Sequence, residues 1–243
     1  MASPIVGEFM GTMILILLGD GVVAGVLLHK SKAENAGWMA IAAGWGFAVL
    51  CGIFTAIACG SPDANINPAV TLGMAIATGD YSKLAGYIAA QVAGAFAGAA
   101  LVWLAYWEHW RQTPERDLKL GIFCTAPAIR RFVPNLMTET IGTAALICVG
   151  LTFGSKAVSH TGLAAGYGPL LWGLLVWGIG LSLGGPTGYA INPARDFGPR
   201  LAHAILPIPG KGASDWSYAL VPIVGPFLGA GIAAAFLKVF ALA

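Results

Sequence analysis

Charge is what this chain has least of. Asp, Glu, Lys and Arg make up 10% of its 243 residues, against about 25% in an ordinary soluble domain. That is too little to clothe a water-facing surface. The 13 basic and 11 acidic residues leave a net charge of +2. The longest polar stretch, Glu108 to Pro134, mixes Arg111, Arg116, Lys119, Arg130 and Arg131 with Glu108, Glu115 and Asp117. No basic face for nucleic acid results. Cysteine is also scarce: Cys51, Cys59, Cys124 and Cys148 lack metal-ligand or redox spacing and read as small apolar fillers. His29, His109, His160 and His203 are equally dispersed. No nucleophile, base and metal set converges, so neither an enzyme nor a cofactor or metal site is expected. No basic segment precedes the first apolar run and no small-residue cleavage pattern breaks it, so that run is expected to be retained.

Apolar residues are what remains. They form 57% of the chain, and mean hydropathy is +0.77. Six runs are near or above the ~18 residues a spanning helix needs. They are Pro4 to Leu28, Trp38 to Cys59, Lys83 to Trp107, Asn135 to Ser155, Gly166 to Gly184 and Trp216 to Phe240. Stretches rich in Gly and Ala, 86–98 and 220–235, let helices approach closely in lipid. The expected fold class is an all-α membrane protein.

Two further segments are too short to span. Asn67-Pro68-Ala69 and Asn192-Pro193-Ala194 repeat one tripeptide. Asn is among the best helix N-caps and Pro suits the first helical position, so both copies start helices. The runs that follow end at Gly79 and Pro207. Each helix then measures about twelve residues, roughly 18 Å, or about half of a ~30 Å hydrocarbon core. The context repeats too, since Gly7-Glu8-Phe9-Met10-Gly11-Thr12 is echoed by Thr138-Glu139-Thr140-Ile141-Gly142-Thr143. A single transmembrane domain is expected, with repeats over about 1–107 and 135–243 joined by loop 108–134. Each repeat carries a glutamate-bearing first span and a broken half-helix, the repeat architecture of membrane transport proteins. Asp20 has no counterpart in the second repeat and receives no role.

On these motifs the whole chain resembles the major intrinsic protein family, the aquaporins and glycerol facilitators. The second motif continues as Arg195-Asp196-Phe197-Gly198-Pro199-Arg200. Asp196, Arg200 and Pro222 are similar to the glycerol-facilitator branch. The resemblance implies an inverted repeat of six spans and two half-helices that meet near the midplane, N-terminus to N-terminus. It also implies a passive channel for glycerol and other small uncharged polyols, and for water, that excludes ions and protons. Further implications are a homotetramer in the lipid bilayer of a bacterial cytoplasmic membrane, and both termini inside. The basic residues, concentrated in the 108–134 connection, would choose the reverse orientation.

By the same resemblance Trp45, Gly180, Tyr189 and Arg195 form the selectivity filter. Trp45 and Tyr189 supply an apolar corner, Arg195 supplies donors, and Gly180 supplies room. Backbone carbonyls of Asp63, Ala64, Asn65, Ile66, Gly188, Tyr189, Ala190 and Ile191 line the pore, and Glu8 and Glu139 anchor the loops that carry them. Asn65 stands where many relatives have His, so pH gating through that position is not expected. Two alternatives stay open. A water-dominant aquaporin rests on Tyr189, where the glycerol branch more often has Phe. An ion-coupled secondary transporter would have to use Glu8 and Glu139, the only paired acids in the spans.

Overall fold

The structure, a computed structural model, describes residues 2–240. Every regular element among them is a helix: α1 (Pro4–Leu27), α2 (Gly37–Ala58), α3 (Pro68–Thr78), α4 (Leu84–Ala105), α5 (His109–Gln112), α6 (Arg116–Phe123), α7 (Phe132–Thr152), α8 (Tyr167–Leu183), α9 (Pro193–Ile205) and α10 (Leu220–Val239). All six expected spans are present as α1, α2, α4, α7, α8 and α10, and the two short helices are α3 and α9. Five of the spans run 20 residues or more. The sixth, α8, has 17 residues, roughly 25 Å of helix.

The 108–134 connection is not the plain loop the sequence led us to expect. It folds into α5 and α6, because Trp110, Ile122 and Phe123 need burial and find it together. Trp110 stacks on Phe123 with ring centroids 5.6 Å apart, and α6 packs against α1 and α9.

The long helices pair α1 with α2 and α4, α7 with α10 and α8, and α2 with α8. Missing side chains allow the closest pairings. A Cβ on Gly94 of α4 would lie 2.2 Å from the Phe9 carbonyl oxygen of α1, and one on Gly229 of α10 would lie 2.5 Å from that of Thr140 in α7. Phe9 and Thr140 each follow a buried glutamate, so the same contact occurs once in each half. The short helices exchange partners: α3 packs chiefly on α10 and α9 on α4. The halves are thereby interlocked rather than abutted.

Burial is inverted relative to a water-soluble protein. Phe47, Leu104, Ile141, Leu228 and Ile232 face outward, whereas Glu8, Asp20, Gln91, Glu139, Asp196 and Arg200 lie inside. An outer apolar face suits hydrocarbon, and the inner polar groups must then satisfy one another.

Candidate functional site

The two short helices meet at their N-termini. Asn67 caps α3 by accepting the Ala69 N–H at 2.8 Å. Asn192 caps α9 by accepting from Ala194 at 3.0 Å and Arg195 at 3.2 Å. This fixes which way each amide faces, because Oδ1 must point at its own helix and Nδ2 therefore points away. Asn67 Nδ2 donates to the Ile191 carbonyl at 2.8 Å, and Asn192 Nδ2 donates to the Ile66 carbonyl at 2.9 Å. The halves are thus cross-bonded at their centre. Each Nδ2 carries two hydrogens, so one per amide remains for another acceptor.

The chain entering each short helix is held by a buried glutamate. Glu8 accepts from Ser61 Oγ, the Asn65 and Ile66 N–H groups and Gln91 Nε2, all at 2.7–2.9 Å. Glu139 accepts from the N–H groups of Ala190 at 3.0 Å and Ile191 at 2.8 Å. In a planar trans peptide the N–H and the preceding C=O point in opposite directions. Anchoring residues 65 and 66 therefore turns the carbonyls of Ala64 and Asn65 away from Glu8, and anchoring 190 and 191 turns those of Tyr189 and Ala190 away from Glu139. Positive φ at Ala64 (42°), Ile66 (44°), Tyr189 (38°) and Ile191 (42°) accompanies this ladder. Such angles cost non-glycine residues about 1 kcal/mol or more each, and the glutamate hydrogen bonds offset the cost.

The segments that carry these carbonyls, 63–67 and 189–192, line a cavity of about 510 Å³ together with Trp45, Val49, Ile53 and Ile57. Spaced four apart on α2, these make one stripe about 18 Å long. Asp63, Asp80 and Lys83 also line the cavity, and Asp63 accepts from Lys83 Nζ and Tyr87 Oη, both at 2.6 Å.

Of the four expected filter residues, Trp45, Tyr189 and Arg195 border this cavity and Gly180 does not. A Cβ on Gly180 would lie 2.7 Å from Tyr189 Cζ and Oη, and one on Gly184 would lie 2.6 Å from Tyr189 Cδ1. The space at Gly180 is therefore filled by the Tyr189 ring rather than left open. Trp38 completes this slot: its ring meets Tyr189 edge-on at 5.7 Å, and its Nε1 donates to the Gly180 carbonyl at 2.9 Å. Gly188, expected on the carbonyl rail, likewise does not border the cavity. Its α-carbon faces Thr125, whose Cγ2 would be 3.3 Å from an added Cβ. Arg195 stacks over the Trp45 ring at 3.9 Å.

Asp196 and Arg200 form a buried clasp. Arg200 donates to both carboxylate oxygens at 2.8 and 3.0 Å and to the carbonyls of Thr125, Ser214 and Asp215. Asp196 also accepts the Thr125 N–H and hydroxyl, both at 2.8 Å. The clasp fixes Thr125 against Gly188, one residue before Tyr189. Pro222 lies buried in the first turn of α10. Sequence reasoning missed Trp38, Gln91, Ser61 and Thr125. Trp38 and Gln91 signalled only aromaticity or polarity in an apolar run, and Ser61 and Thr125 were ordinary hydroxyls in connections, none of which tells a partner from any other residue of its kind.

The family model described as major intrinsic protein matches residues 1–237. The chain is 57% identical over 228 residues to a probable glycerol uptake facilitator protein of Thermotoga maritima, covering 93% of this chain and 94% of that one. It is 54% identical over 235 residues to glycerol uptake facilitator protein 3 of Lactiplantibacillus plantarum, covering 96% and 95%. Among solved structures, the aquaglyceroporin from Plasmodium falciparum superposes with a TM-score of 0.84 at 28% identity, over 98% of both chains.

Proposed function

The chain belongs to the major intrinsic protein family, and from that membership we propose that this multi-pass membrane protein is a passive channel for glycerol and other small uncharged polyols. The observation that carries the reading is a cavity lined both by the loop segments at 63–67 and 189–192 and by an apolar stripe of α2. A carbonyl ladder at 64–66 and 189–191 accepts from hydroxyls, while the α2 stripe from Trp45 to Ile57 lies against the carbon skeleton. A polyol has both kinds of surface.

The geometry supports the following residue roles. The remaining Nδ2 hydrogens of Asn67 and Asn192 donate to a hydroxyl at the centre. The facing N-termini of α3 and α9 each carry roughly half a positive charge, which repels cations and hydronium there. Trp45, Tyr189 and Arg195 form the filter, with Gly180 acting indirectly by seating Tyr189. Glu8 and Glu139 hold the ladder. Asp196, Arg200 and Pro222 brace the α9 half of the path. Halves 1–107 and 135–243 are the two inverted repeats. The same path passes water. The outward apolar faces meet the lipid bilayer and, in a homotetramer, neighbouring copies. Ion coupling is disfavoured because Glu8 and Glu139, the paired acids it would have to use, are at most 1% exposed and are bonded to backbone N–H groups.

Proteoliposomes under an inward glycerol gradient test the reading by light scattering. Re-swelling much faster than in empty vesicles, and unchanged when all ion gradients are collapsed, is the expected result. Re-swelling at the empty-vesicle rate would refute it.

A further inference from the structure

We propose that Asp20 is the counter-ion of Arg195, a positioning residue that holds the guanidinium on Trp45 and cancels its charge. This end of the cavity then selects neutral hydrogen-bonding solutes and does not draw in anions. The inference rests on the transport reading above and adds a residue that the two motifs do not contain.

Asp20 lies in α1 with its side chain 0% exposed, and its Oδ1 stands 3.7 Å from Nη1 of Arg195, itself 8% exposed. Neither carboxylate oxygen of Asp20 has a hydrogen-bond partner among the described residues, and neither does Arg195 Nη1. Each is therefore the other's nearest compensation. Asp196, the acid adjacent to Arg195 in the chain, is committed to Arg200 and Thr125. A buried cation without a counter-charge is strongly unfavourable. The packing brings the pair together through Gly19, since a Cβ there would lie 2.2 Å from Trp45 Cζ3. Trp45 can therefore pack against α1, with Arg195 3.9 Å above its ring and Asp20, the residue after Gly19, 3.7 Å from Arg195.

The repeat shows that the helix itself does not require this acid. Asp20 stands twelve residues after Glu8, and Leu151 stands twelve after Glu139. Arg195 stands three after Asn192, and Val70 three after Asn67. Leu151 and Val70 both border the cavity. The first repeat thus contributes the acid and the second the base, whereas the equivalent positions, Leu151 in the second repeat and Val70 in the first, are both aliphatic. Charge occurs at both members of one pair and at neither member of the other, as expected if each charge exists for the other. Arg195 then offers N–H donors from a neutral pair, a donor set suited to hydroxyls and carrying no net attraction for chloride or carboxylates.

The test reconstitutes wild type, Asp20→Asn, and the double variant Asp20→Leu with Arg195→Val, which copies the aliphatic residues found at the equivalent positions, Leu151 and Val70. Glycerol re-swelling and chloride entry, followed with a trapped halide-quenched dye, are measured in each. Asp20→Asn is nearly isosteric and leaves Arg195 uncompensated. It is expected to slow glycerol by about tenfold or more, since a charge pair at this separation is worth more than one decade in rate, and to admit chloride that wild type excludes. The double variant is expected to exclude chloride again. Asp20→Asn with wild-type glycerol flux and wild-type chloride exclusion would overturn the proposal. If Asp20→Asn does not accumulate in membranes, the double variant decides: recovery of accumulation supports an uncompensated Arg195 as the cause, and failure of both overturns the pairing. Wild type that passes no glycerol would refute the transport reading alone, because the chloride comparison still reports on the pair.

Discussion

Adding one methyl group at Gly180, which does not itself border the cavity, should slow glycerol by displacing Tyr189, which does. The Cβ of Gly180→Ala would lie 2.7 Å from Tyr189 Cζ and Oη and 3.0 Å from Cε2, where carbon atoms rest at about 3.5–4.0 Å. The ring must retreat by about 1 Å. Gly184 and Trp38 close the slot on its other sides, so the open direction is into the cavity it already borders. Overpacking of this kind costs about 1–3 kcal/mol. If the permeating molecule must restore the displaced ring, glycerol flux falls roughly five- to 150-fold at ~1.4 kcal/mol per decade. Water, being smaller, is slowed less. Stopped-flow light scattering of proteoliposomes, under glycerol and under an impermeant osmolyte, gives both rates. Tyr189→Leu in the Gly180→Ala background removes the clashing ring and should restore glycerol flux. Glycerol flux left unchanged by Gly180→Ala, with only a lowered melting temperature, would refute the seating argument.

Other perturbations follow from the same contacts. Glu8 collects four donors and Glu139 two backbone N–H groups. With hydrogen bonds to charged groups worth about 1.5–3 kcal/mol, Glu8→Gln should lower the melting temperature in detergent more than Glu139→Gln, and equal shifts would contradict this ranking. Arg200→Met breaks a buried ion pair whose loss costs about 3–5 kcal/mol. It should expose the Thr125 segment to faster hydrogen exchange, and protection equal to wild type there would count against the clasp. Outside the spans, His29 is flanked by Glu34 at 2.6 Å and Glu115 at 2.9 Å. Its bond to Glu34, then that to Glu115, raises its pKa above 6.5, while the bond to His29 lowers Glu34 below 4.5. The raised histidine stabilises fully below its unfolded value and loses that contribution as pH rises through its folded value. Glu34 contributes above its unfolded value and loses that as pH falls through its folded one. The clip joining residues 28–36 to 109–115 should therefore be tightest between about pH 4.5 and 6.5 and loosen as His29 deprotonates. An NMR titration placing the His29 ring at an unshifted 6.5 would contradict it.

Much of this protein was legible before any coordinates, because the bilayer imposes rules that act on local sequence. Spans must be long and apolar, so six could be marked. Asn followed by Pro must begin a helix, so α3 and α9 could be placed. Glu8 and Glu139 stood out because an acid inside an apolar run needs partners. The boundaries erred where side-chain burial overrode polarity: α5 and α6 formed because Trp110 and Phe123 found each other, and that pairing has no local signal.

What the sequence by itself determined was the element inventory, the pairing of two motifs and the residues able to donate or accept at depth, since those depend on residue type and spacing. Only the tertiary structure decided which groups are spent on the scaffold and which remain for a solute. It turned the ladder carbonyls away from Glu8 and Glu139, engaged one hydrogen of each asparagine amide across the halves, filled the space at Gly180 with Tyr189, and set Asp20 beside Arg195. The physical reason is that these outcomes are contacts between side chains and backbone of different elements, most of them fifty to more than a hundred positions apart, and their geometry exists only once the helices have packed.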